Sequence, residues 1–87
     1  MRIVCVWREA SDYGRTVSEW LTEFERRTGE TVESLDPDTR DGVGFCHAYD
    51  IVEYPTIIAL DDDGKVLGMW RGAMMPTFDE VIYWLHQ

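Results

Sequence analysis

Two thiols, Cys5 and Cys46, are the strongest nucleophiles in the chain, and they stand far apart in the sequence. Disulfide exchange needs one thiolate to attack and a second thiol close by to resolve the mixed disulfide, an arrangement supplied by C-x-x-C. Neither cysteine has such a neighbour, and two cysteines are too few for a disulfide scaffold. His47 follows Cys46 directly, but consecutive helical residues diverge by about 100° and do not form a catalytic dyad. With His47 and His86 the only histidines, a four-ligand metal site would have to recruit carboxylates. The run Asp61-Asp62-Asp63 lacks the spaced ligands and distant Glu of a calcium loop and reads as a turn. No metal and no cofactor is expected.

The elements that hold these residues follow from hydropathy. Ile3-Val4-Cys5-Val6-Trp7 is a continuous apolar run, hence a strand buried on both faces. Cys5 alternates with Ile3 and Trp7 there, which points its thiol into the core, where a buried thiol behaves as inert packing. Ser11 offers N-cap chemistry and Asp12 a charge suited to the positive end of a helix dipole. Val17, Trp20, Leu21, Phe24 and Thr28 then recur at helical spacing, and Gly29 ends the helix. Thr31–Asp36 is a second strand, parallel to the first in a right-handed βαβ unit. A polar loop from Asp36 to Gly44 leads to a short helical turn from about Val43 to Tyr49. Pro55 opens the apolar strand that runs to Leu60, a position proline tolerates. Asp63-Gly64 marks a hairpin, and Lys65–Arg71 returns as its partner. Thr77 and Glu80 form a capping box before the stripe Phe78, Val81, Ile82 and Leu85. The order is β-α-β-α-β-β-α, without repeat or linker, so residues 1–87 are expected to form one domain.

Of the 87 residues 45% are apolar and eleven are aromatic, enough to build a core. The formal charge of −9 argues against nucleic acid and anionic membranes as partners and favours a basic one. No run approaches the roughly 20 apolar residues of a membrane span. Met1–Trp7 is too short, and too soon interrupted by Arg8 and Glu9, for a signal peptide. A cytoplasmic location is the expectation.

That element order, with a proline opening the third strand, resembles the thioredoxin fold over nearly the whole chain. Tyr49–Leu60 is similar to the family's YGV-x-x-x-PT passage, Asp63-Gly64-Lys65 to its acidic-glycine hairpin, and Trp70-Arg71-Gly72-Ala73 to its loop before the last helix. At the other end the family carries F-W-A-x-W-C-G-P-C-K, and here Val6–Arg15 occupies the stretch. Trp7 and Arg15 keep their places. Ser11 falls on the first cysteine, Asp12 and Tyr13 on the intervening pair, and Gly14 on the second. Cys5 replaces the family's buried aspartate. Arg2–Trp7 matches the central strand, so the family's N-terminal strand and helix have no counterpart.

The resemblance implies an α/β minimal thioredoxin fold: a four-stranded mixed sheet, helices on both faces, and a cis proline at Pro55. It also implies that Trp7, Tyr13, Tyr54, Pro55, Thr56, Gly72 and Ala73 line a peptide-binding groove. Without the dithiol, a serine hydroxyl and a glycine cannot exchange disulfides, which leaves a redox-inactive module that binds a protein or peptide. Two alternatives stand beside it. One is an atypical thiol oxidoreductase or redox sensor using Cys5 or Cys46. The other is a glutathione- or thiol-binding protein in which Ser11 holds a thiolate. By the same layout Cys46 sits on the helix opposite Cys5, with the sheet between them preventing a disulfide. That short helix would leave one sheet face undercovered, and an exposed apolar face predicts a homodimer or a docked partner there.

Overall fold

The computed structural model describes residues 1–86, with side-chain environments as far as residue 84. Strand β1 (Arg2–Val6) is followed by α1 (Gly14–Thr28), β2 (Glu33–Leu35), α2 (Arg40–Tyr49), β3 (Thr56–Leu60), β4 (Val66–Arg71) and α3 (Phe78–Ile82), with a 3₁₀ turn over Tyr83–His86. The four strands form one mixed sheet in the order β2-β1-β3-β4. β1 runs parallel to β2 and antiparallel to β3, and β3 pairs antiparallel with β4. The fold class is the one expected, and the sequence pattern explains it. The two apolar runs, β1 and β3, are the central strands, where both faces are covered.

Period-2 alternation sorts the central strands into two cores. Ile3, Cys5 and Ile57 face α1 and α3 together with Val17, Phe24 and Val81. Val4, Val6, Ile58 and Leu60 face α2 with Cys46 and Ile51. On the first face Trp20 stacks on Phe24 at 4.9 Å, and Phe78 meets both edge-on at 5.4 and 5.5 Å. The Trp20 indole N–H donates to the Pro76 carbonyl at 2.9 Å, so the ring buries its apolar body with its polar atom satisfied.

The second face, expected to be undercovered, has more cover than a short helical turn supplies. α2 begins at Arg40 rather than near Val43, capped by Thr39, whose hydroxyl accepts from the Gly42 amide at 3.0 Å. Phe45 and Tyr49 reach over the sheet, with Leu35, Tyr54 and Met69 closing the edges. Val4, Val6, Ile58 and Leu60 are left at most 1% exposed, so the strands of this face are covered, and the apolar surface beside them lies on Val43 and Val52, 57% and 80% exposed.

The turns behave as their residues dictate. Gly29 ends α1 in the left-handed region at φ 73°. In the β3–β4 hairpin the Asp61 carboxylate accepts from the Asp63 and Lys65 amides, each at 2.9 Å. Thr77 caps α3 by accepting from the Glu80 amide at 3.2 Å. The side chain of Leu85, the last member of the expected stripe, lies outside the described residues.

Candidate functional site

The β1–α1 connection is a tightly closed turn. The Ser11 amide donates to the Glu9 carbonyl at 3.0 Å, and the Gly14 amide to the Ser11 carbonyl at 3.2 Å. Ser11 does not cap the helix as expected. Its hydroxyl donates back to the Arg8 carbonyl, and the N-cap position falls to Tyr13, with no side-chain cap bond. Asp12 therefore lies before the helix, and the first turn of α1 holds no acidic residue. Gly14 is buried where the chain passes over itself: a Cβ there would lie 2.1 Å from the Glu9 carbonyl oxygen. No side chain fits at this position while the turn keeps this shape.

Beside the turn, the Tyr54–Pro55 peptide bond is cis. The Pro55 carbonyl accepts from the Gly72 amide at 2.8 Å, which ties the β4–α3 loop to the start of β3. The two segments meet through Arg8. Its amide donates to the Tyr13 hydroxyl at 3.2 Å. Its guanidinium lies 4.8 Å from the centre of the Tyr54 ring and forms a fork to Asp38 at 2.8 and 3.0 Å. The guanidinium holds the Asp38 carboxyl below its ordinary value. Next to it, the Trp7 indole N–H donates to the Ser34 hydroxyl.

Solved structures provide the comparison for this arrangement. Thioredoxin 1 from Thermosipho africanus superposes with a TM-score of 0.70 at 14% identity, over 99% of this chain and 91% of that one. Mitochondrial thioredoxin 3 from Saccharomyces cerevisiae, in its oxidized form, gives 0.71 at 13% identity, over 97% and 74%. A complex of ferredoxin:thioredoxin reductase with thioredoxin f2 gives 0.65 at 16% identity, over 98% and 76%. The chain has a thioredoxin-like fold. No protein-family model and no curated protein sequence matches it.

Within that thioredoxin-like frame the predicted groove residues divide. Trp7, Tyr13 and Tyr54 are partly exposed and gather around Arg8. Pro55 and Thr56 are fully buried, and the Thr56 hydroxyl donates to the Glu53 carbonyl. These two shape the wall from beneath and present no side chain to a ligand. Gly72 has its amide committed to Pro55, while Ala73 is exposed on the loop. Two hollows flank the cluster. One, of about 380 Å³, lies beside α2 and is lined by Tyr54, Cys46, Val43, Ile51 and Val52 among others. The other, of about 170 Å³, is lined by Trp7, Glu9, Ser34 and Asp36.

The thiols separate as the strand pattern for Cys5 and the layout implied by the resemblance for Cys46 lead one to expect. Both are free and they lie in different cores. Burial pushes the Cys5 thiol up to about 12, which leaves almost no thiolate at neutral pH. Cys46 is 7% exposed at the floor of the larger hollow. Partial burial, and then the neighbouring Cys46, hold the Tyr54 phenol above its ordinary value. His47 is exposed on α2.

Sequence reasoning missed Arg8, which ties the corner together. In the sequence it stands only as a charge ending an apolar run. The available signal was a cation directly after a buried strand, facing a loop rich in aspartate.

Proposed function

We propose that this chain is a redox-inactive binding module that uses the corner around Arg8 and Tyr54 to engage a protein or peptide. The close approach of the Glu9 carbonyl to Gly14 carries the reading. It excludes any side chain at the position the thioredoxin resemblance assigns to the second cysteine, and Cys5 beneath it is held as a neutral thiol. The Ser11 hydroxyl has a single proton, already given to the Arg8 carbonyl. That weakens the alternative in which it steadies a thiolate. One of the similar structures is a thioredoxin f2 complexed with ferredoxin:thioredoxin reductase, and an analogous docking role suits the aromatic corner here. Tyrosine, tryptophan and arginine are the residues on which binding energy concentrates at interfaces.

Two measurements test it. Insulin reduction driven by dithiothreitol should proceed no faster with the protein than without it. A random peptide library selected on the protein should yield binders that weaken by about tenfold or more with Tyr54→Ala, as for a truncated interface anchor. Catalysed insulin reduction, or selected peptides indifferent to Tyr54, would remove the proposal.

A further inference from the structure

Strand β2 ends the sheet, since the strand order is β2-β1-β3-β4, and one bond fixes which of its backbone groups face outward. The Trp7 amide donates to the Leu35 carbonyl at 3.0 Å. With the parallel register of Val4 on Glu33, Cys5 on Ser34 and Val6 on Leu35, the backbone groups of Glu33 and Leu35 turn toward β1. Those of Val32, Ser34 and Asp36 turn away, as the alternation of a parallel ladder requires. Two of these three are engaged from within the chain. The Val32 amide donates to the Glu25 carboxylate at 3.3 Å, and the Asp36 carbonyl accepts from the Thr39 amide at 3.2 Å and the Thr39 hydroxyl at 2.8 Å. Ser34 stands exposed between them, and no hydrogen bond among the described residues reaches its N–H or its carbonyl. Open groups on a sheet edge are a template for one more strand.

The same residue borders a hollow. Ser34 lies on the Cys5 side of the sheet, where its hydroxyl accepts from the Trp7 indole. With Trp7, Glu9 and Asp36 it lines the hollow of about 170 Å³. Glu9 and Asp36 are exposed, and among the described residues neither forms an ion pair. In an antiparallel pair, the residue that exchanges both backbone bonds with Ser34 puts its side chain on the same face as the serine, and hence into this hollow. We propose that the β2 edge docks an extended basic segment of a partner protein, one residue of which pairs with Ser34 and lays a lysine or arginine side chain beside Trp7, Glu9 and Asp36. Charge selects that occupant. An indole face and two carboxylates favour a cation. A second copy paired edge to edge through Ser34 would instead bring two sets of Glu9 and Asp36 together in chains of net charge −9, and like charges opposed across strands are destabilising. The site stands apart from Tyr54 and takes from the proposed function only the premise that this chain docks protein.

The probe is the pentapeptide acetyl-Thr-Val-Lys-Val-Thr-amide, titrated into isotope-labelled protein and read by NMR. The Ser34 amide and Trp7 indole N–H signals should move to saturation with a Kd on the order of 1 mM, while the Trp20 indole signal stays still. Two changes to the probe should each weaken it about fivefold or more. Norleucine in place of lysine keeps the stem without the charge, and N-methylation of the lysine amide removes the N–H that would meet the Ser34 carbonyl. In the protein, Glu9→Gln together with Asp36→Asn should lower lysine-probe binding to the norleucine level. Asparagine keeps the side-chain oxygen that accepts from the Asp38 amide at 2.8 Å, and an unshifted Trp20 signal shows that the variant is folded. A still Ser34 amide, full-strength binding of either altered probe, undiminished binding by the neutralised variant, or movement of the Tyr54 ring in place of Ser34 would each overturn the proposal. So would a Ser34 shift on raising the protein concentration alone, which would give the edge to a second copy. The probe is read at Ser34 and the selected peptides at Tyr54, so either proposal can fail while the other stands.

Discussion

At the β1–α1 corner a guanidinium lies over a tyrosine ring and is clamped by a carboxylate, all three groups supplied by the chain itself. At the β4–α3 corner two indoles and a phenol line one hollow of about 460 Å³ with Asp79 and Glu80. The first corner is closed around backbone, with the Glu9 carbonyl against Gly14. The second is closed around side chains, with ring atoms of Trp70 and Trp84 against Gly68. The difference teaches which corner can adapt. A carbonyl within a hydrogen-bonded turn has nowhere to move, whereas an indole at the surface can rotate away.

Substituting alanine at the two glycines breaks or upholds that contrast, and Gly14→Ala should have the largest effect. Helix propensity alone would favour alanine by up to about 1 kcal/mol. The 2.1 Å approach to a fixed carbonyl overrides that gain, and a net loss of about 3 kcal/mol is expected, at the upper range for overpacking. Gly68→Ala meets movable rings at 2.9 Å and should cost only about 1 kcal/mol, while spreading the indoles. Urea unfolding of both variants measures this. Equal losses at the two positions would show that the corners are alike in rigidity.

Emptying the occupied corner sharpens the comparison further. In Arg8→Ala, Tyr54 and Asp38 keep their ring and charge but lose the cation that joins them. Nα-acetyl-lysine methylamide should then shift the Tyr54 ring signals, weakly, with a Kd on the order of 10 mM, because a phenol ring and a carboxylate left without their guanidinium attract a free ammonium. Silence at Tyr54 would mean that aromatic–carboxylate pairing alone does not make a cation site in this protein.

How much of this was legible beforehand depends on the range of the interaction. The strands, α1 and the hairpin were readable because Ile3–Val6, Thr56–Leu60 and the Val17–Phe24 spacing are local patterns of period 2 and 3.6. The inward Cys5 follows from the same alternation, whereas Cys46 on the opposite face follows from the layout that the thioredoxin resemblance implies. The start of α2 is not legible in the sequence because Thr39 stands in a polar stretch, and its capping bond to Gly42 needs the helix to exist first. The expectation of an undercovered sheet face rests on the absent counterpart of the family's N-terminal strand and helix, together with the shorter α2. Residue type alone favours Ser11 as the cap; the choice of Tyr13 goes with Glu9 crossing over Gly14, a backbone contact without a side-chain signature. Arg8 with Tyr54 and Trp70 with Trp84 join distant segments, and no local pattern announces either pairing.

The smallest expected effect concerns the other occupied aromatic, Phe78, whose cation Arg27 is held by Glu23 together with Arg26. The hydrogen bonds from Arg26 and then Arg27 lower the Glu23 carboxyl from 4.5 to about 2. A carboxyl depressed on folding stabilises the folded state above its unfolded value and loses that contribution as pH falls through the folded one. The contribution of Glu23 should therefore be complete above pH 4.5 and decline between 4.5 and about 2. Because the group is exposed, the amplitude should be modest and should shrink further in high salt. Urea midpoints for the protein and for Glu23→Gln should differ above pH 4.5 and converge as the acid end of that window is reached. A gap that stayed constant across the window would mean that Arg27 is held over Phe78 by the ring alone, and the carboxylate would then have no part in filling an aromatic corner.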